Sequence, residues 1–118
     1  DSIKVDNGLA MSFPIAGSRP RGKTPEEDER LHDELLADPK ERSEHIMLVD
    51  LARNDLSRVC EPDSVEVVSL MDVLRYSHIM HICSTVTGRV LPGLSVMDVF
   101  TSAFPAGTLS GAPKPKAI

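Results

Sequence analysis

Tryptophan is absent from this chain, and aromatic residues make up only 3% of its 118 positions. A protein with so few flat rings has little on which to stack bases, so nucleic-acid binding through aromatic platforms is not expected. Basic excess is missing too, since 13 Lys and Arg face 18 Asp and Glu for a net charge of −5. A polyanion is therefore not the expected partner, although a small anion can still bind where a few cations converge. No apolar run approaches the ~20 residues of a membrane span, and no charged-then-apolar leader opens the chain. The expectation is a soluble, cytoplasmic protein with no membrane or nucleic-acid partner. Only two cysteines occur, and Cys60 and Cys83 have neither the context of a secreted disulfide framework nor zinc-ligand spacing. Both are expected to be buried thiols. What the chain does have is aliphatic, with 41% hydrophobic residues and five Met, enough for a modest core in one domain or part of one.

The densest signal is residues 41–60, ERSEHIMLVDLARNDLSRVC. Asp38 is a candidate N-cap, Pro39 suits the first helical position, and Glu41 falls three residues after Asp38, the spacing of a capping box. The apolar residues Met47, Leu48, Val49, Leu51 and Leu56 form a broad stripe, so most of this helix is expected to be buried. Glu41 and Glu44 share a face that Leu48, Leu51 and Asp55 continue. On pattern alone the commoner meaning of that acid pair is a solvated first turn complementing the helix dipole. The other meaning is a Mg²⁺ site, because Mg²⁺ keeps several waters and needs only one or two carboxylates.

In chain order, residues 2–13 alternate about Asp6-Asn7-Gly8 and predict a β-hairpin. The segment PIAGSRPRG at 14–22 carries two Pro and two Gly and is expected to be an irregular loop, with Arg19 and Arg21 exposed rather than forked onto a carboxylate. Thr24, Pro25 and Glu27 start a narrow-striped surface helix that ends near Ala37. Ser64 to Leu70 reads as a strand, and Tyr76 to Val90 as an interior strand, apolar on both faces, that carries His78 and His81 on opposite sides. A histidine there is more often a satisfied core residue than a catalyst. Ser95 caps a short helix with Asp98 three residues on. The tail FPAGTLSGAPK at 104–114 could offer backbone N–H groups to an anion but lacks Walker spacing, so it reads as a tight turn, and the end at Ile118 reads as a truncation.

Taken in series, PIAGSRPRG, ERSEHIMLVDLARNDLSRVC, RYSHIMHICSTVTG and FPAGTLSGAPK resemble the chorismate-utilising enzymes, and among them the large synthase subunits of anthranilate synthase. The resemblance runs from about Pro14 to Ala117. It implies an α/β fold of the α+β type, with antiparallel strands and helices packed outside, residues 1–118 being the middle portion of a chorismate-binding domain. The implied reaction adds ammonia, released from glutamine by an amidotransferase subunit or domain, to Mg²⁺-bound chorismate and yields anthranilate and pyruvate for tryptophan biosynthesis. By position, Glu44 matches the Mg²⁺-ligating glutamate, Glu41 its acidic neighbour and His81 the active-site histidine of the elimination step. Thr108 matches a substrate-contacting threonine of the active site, Gly107 would let the backbone approach chorismate, and Lys114 is a further substrate contact. Ala16 stands where aminodeoxychorismate synthases commonly carry a lysine nucleophile, which favours ammonia as the nucleophile here. Those synthases and the isochorismate and salicylate synthases are the alternatives within the family. A second kind of reading is a non-catalytic structural piece whose strands pair in a homo-oligomer.

Overall fold

The computed structural model describes residues 3–103, and residues 100–103 by their backbone only. The chain opens on the expected hairpin, β1 (Ile3–Asp6) and β2 (Leu9–Ser12). Asn7 and Gly8 take φ of 51° and 78° at its two-residue turn, the left-handed pair that matches the twist of hairpin strands.

The segment expected to be an irregular loop is instead a strand, β3 (Ile15–Pro20). Its breakers sit where a strand tolerates them. Pro14 precedes it, Pro20 is its last residue, and Gly17 forms a β-bulge with φ 77° at a register shift between Ala16 and Ser18.

Two helices follow. In α1 (Pro25–Ala37) the Thr24 hydroxyl accepts from the Glu27 amide at 3.1 Å. In α2 (Pro39–Ser57) the Asp38 carboxylate accepts from the Lys40 and Glu41 amides at 3.0 and 3.3 Å, as the sequence predicts. The long strands β4 (Glu66–Arg75) and β5 (Ile79–Arg89) come next, then α3 (Val96–Ala103), capped reciprocally by Ser95 and Asp98.

β5 is the interior strand. β2 and β3 share one of its edges, pairing with residues 86–89 and 79–83, while β4 runs along the other; every pairing is antiparallel. The side chains of Met80, Ile82, Ser84 and Val86 alternate onto the face covered by the helices and are 0% exposed. They divide the core in two. Met80 and Ile82 join Leu35 of α1, whereas Val86 joins Ala10 and the α2 residues Val49, Ala52 and Leu56.

α2 does not bury most of its circumference. Its buried residues are His45, Val49, Ala52 and Leu56, while Met47 and Leu51 are 70% and 53% exposed. The sheet covers one side only of the helix, and the buried line runs through a histidine that hydrophobic patterning passes over. Both cysteines are free and buried as expected, and burial pushes their thiols above the ordinary range. Among the described residues no helix is long and apolar enough to cross a membrane.

Candidate active site

Two of the candidate residues, Glu41 and His81, meet the bulge of β3 from opposite sides. A Cβ on Gly17 would lie 3.2 Å from the Glu41 Oε1 atom and 3.3 Å from a Leu35 methyl, so the carboxylate of Glu41 rests directly against this backbone. Only glycine combines φ 77° with that approach. From the other face of the sheet, the Nδ1 atom of His81 meets the Gly17 carbonyl at 3.3 Å. A carbonyl only accepts, so Nδ1 is the donor in this contact and Nε2 is the ring nitrogen not engaged by it. The edge of Tyr76 stacks on the same ring at 5.9 Å and 65°. His81 is half-buried, neither a wholly buried core residue nor a free surface group.

Arg19 and Arg21 are not exposed loop arginines. Arg19 is 18% exposed and reaches Glu34 at 2.9 Å, Asp38 at 3.0 Å and Glu41 at 3.7 Å, which ties β3 to the end of α1 and the start of α2. Arg21 forks onto Asp28 at 2.8 and 3.1 Å, where the Gly22 amide and Arg75 also converge. The Arg21 guanidinium, followed by the Gly22 amide, holds the Asp28 carboxyl at about 2. The strand pairing that sequence patterning missed is what brings both arginines onto carboxylates.

The two α2 carboxylates occupy different surroundings. Glu41 is 23% exposed and touches Arg19, whereas Glu44 is exposed and has no hydrogen-bond or ion-pair partner among the described residues. Two oxygen donors three residues apart, one of them free, fit Mg²⁺ with waters completing its shell. Elsewhere, Glu29, His32 and Asp33 of α1 place ligand atoms within 4.8 Å of one another, but Arg75 already engages Glu29 at 3.2 Å. Gly107, Thr108 and Lys114 lie outside the described residues.

One buried polar pair was not anticipated. His45 is 0% exposed, and its Nε2 meets the Ser84 Oγ at 2.6 Å; that same oxygen accepts from the Met71 amide at 2.9 Å. Met71 has φ 58° in a bulge of β4, an uncommon conformation for a residue with a side chain. The other ring nitrogen, Nδ1, has no hydrogen-bond partner among the described residues, and burial pushes the imidazole below its ordinary range, which favours the neutral form.

The chain is 62% identical over 116 residues to anthranilate synthase component 1 of Arthrobacter globiformis and covers 98% of itself but 22% of that protein. Against the same component of Methanothermobacter thermautotrophicus it is 54% identical, with 98% of the chain and 25% of the relative covered. It therefore spans about a quarter of the length of these relatives. The crystal structure of anthranilate synthase component I from Streptococcus pneumoniae superposes with a TM-score of 0.75 at 46% identity, covering 95% of this chain and 24% of that one. The menaquinone-specific isochorismate synthase of Escherichia coli shares the fold, with a TM-score of 0.73 at 15% identity over 92% of this chain and 24% of that one. Residues 2–118 match the family described as chorismate binding enzyme, and the chain belongs to that family.

Proposed function

We propose that these residues form part of the large subunit of an anthranilate synthase, which converts chorismate and ammonia to anthranilate, pyruvate and water. The observation that carries this reading is the acid pair at the start of α2, Glu41 resting against the Gly17 bulge and Glu44 unengaged among the described residues, while His81 meets the carbonyl of that same glycine. Residues 1–118 would be the middle portion of the chorismate-binding domain, and alone they would carry an incomplete site.

Glu44 and Glu41 would hold Mg²⁺, which when bound supplies positive charge for the carboxylate of chorismate. Ammonia adds at C2 of the ring while the C4 hydroxyl leaves as water. Ala16 on β3 has no nitrogen to offer in its place, which supports ammonia, delivered by a glutamine amidotransferase partner, as the nucleophile. The second stage removes the C2 proton, breaks the ring C–O bond and protonates the departing enolpyruvyl methylene, so that the ring becomes aromatic. One imidazole nitrogen that takes a proton and gives one up serves both ends of that transfer. With Nδ1 donating to the Gly17 carbonyl, Nε2 of His81 is the nitrogen left to carry that transfer. Gly107, Thr108 and Lys114 would contact substrate.

The test is anthranilate fluorescence from chorismate, Mg²⁺ and ammonium, using the full-length gene product and its Glu44→Ala and His81→Ala variants. Loss of product in both variants is expected. Formation of aminodeoxychorismate or isochorismate by the unaltered protein would overturn the specific activity and leave family membership standing.

A further inference from the structure

At the hydroxyl of Ser84, α2, β4 and β5 meet through polar atoms. This serine stands between Ile82 and Val86 on the helix-facing side of β5, and so between the two apolar clusters of the core. The Met71 N–H donates to Oγ at 2.9 Å. Oγ keeps a hydrogen and a second lone pair, and with one or the other, as the imidazole tautomer sets, it bonds Nε2 of His45 at 2.6 Å. The imidazole is wholly buried, and the remaining nitrogen has no partner among the described residues. A buried polar atom without a partner is destabilising, so a methionine or leucine would serve α2 better if packing were the only requirement. A hydrogen bond does what an apolar contact does not: it fixes direction and register.

The register it fixes is that of the carboxylates. Glu41 lies one helical turn before His45 and Glu44 immediately before it, so any roll or slide of α2 across β5 moves all three together. We propose that His45 and Ser84 are positioning residues, whose buried hydrogen bond sets the rotation of α2 on the sheet and thereby where Glu41 and Glu44 present their oxygens to a divalent cation. This rests on the reading of Glu41 and Glu44 as the cation site. Neither His45 nor Ser84 touches the ion or substrate. Their part is to hold the helix that does, much as residues behind a metal ligand fix its orientation.

The probe is Mn²⁺, whose binding to the full-length gene product is followed by the loss of its free-ion EPR signal. Two variants are compared with the parent: Ser84→Ala, and the double variant His45→Leu/Ser84→Ala, in which both partners become apolar and no imidazole is left unpaired. The double variant is expected to regain the part of the thermal stability that the unpaired imidazole costs in Ser84→Ala, since the Met71 amide loses its acceptor equally in both. Mn²⁺ affinity is nonetheless expected to fall about tenfold in both, within the range known for residues behind a metal ligand. A stable double variant that binds Mn²⁺ as the parent does would overturn the proposal and reduce the pair to a packing feature. Glu44→Gln is the separate control. If it leaves Mn²⁺ binding unchanged, the assignment of the cation site fails, whatever the other two variants do.

Discussion

The carbonyl of Gly17 lies 3.3 Å from Nδ1 of His81, across a pairing that spans 64 residues of sequence. The same glycine presents its bare Cα to Glu41. Any displacement of the bulge is therefore transmitted to a histidine on one face of the sheet and a carboxylate on the other.

Gly17→Ala tests that coupling. An alanine held at φ 77° is strained, and its Cβ would press on Glu41 Oε1 at 3.2 Å. The left-handed backbone alone costs about 1–3 kcal/mol. A lower thermal midpoint is expected in the full-length gene product, together with a raised Mg²⁺ requirement for anthranilate formation. An unchanged Mg²⁺ requirement would show that Glu41 does not depend on the bulge.

His81→Asn keeps a donor that can face the Gly17 carbonyl and removes the basic nitrogen. Loss of one general acid–base group slows turnover by about 10²–10⁴-fold. The expected result is a fall of that size in kcat with KM for chorismate little changed. A comparable rise in KM would make His81 a binding residue instead.

How much of this was legible in the sequence depends on distance along the chain. The Thr24, Asp38 and Ser95 caps and the Asn7-Gly8 turn are local, and each falls where its residues predict. β3 was not legible. A Pro- and Gly-rich segment becomes a strand only because β5, far downstream, supplies its hydrogen bonds. His45 was missed for the same reason, since the residue that makes a helical histidine worth burying lies 39 positions away. Glu41 and Glu44 were found as a pair, but their spacing gave no sign that one leans on β3 and the other stands free. The four long motifs identify the family because they preserve order and wording, not because any of them reveals a contact.

Asp28 gives a pH signature. The carboxyl is held at about 2, below its usual 3.8, chiefly by Arg21. A depressed carboxylate contributes stability that is fully present above the unfolded value, and loses it as pH falls toward the folded one. The difference in thermal midpoint between the parent and Asp28→Asn should therefore be constant above about pH 5 and shrink between pH 4 and 2. A difference that persists undiminished at pH 2 would place the effect in hydrogen-bond geometry rather than charge.

The sharpest test of the carboxylate assignment uses their unequal surroundings. Glu44 is exposed and engages nothing among the described residues, so Glu44→Gln should change urea-unfolding stability by less than about 0.5 kcal/mol. Glu41→Gln gives up a 3.7 Å contact with Arg19, which keeps Glu34 at 2.9 Å and Asp38 at 3.0 Å. A partly exposed pair of that length contributes under about 1 kcal/mol. Stability thus barely separates the two variants, and metal binding should separate them clearly. Glu44→Gln removes a free oxygen donor and is expected to weaken Mn²⁺ binding more than Glu41→Gln does, since the Glu41 carboxylate already shares its charge with a guanidinium. The reverse order, at equal stability, would make Glu41 the principal ligand and move the cation toward the Gly17 bulge.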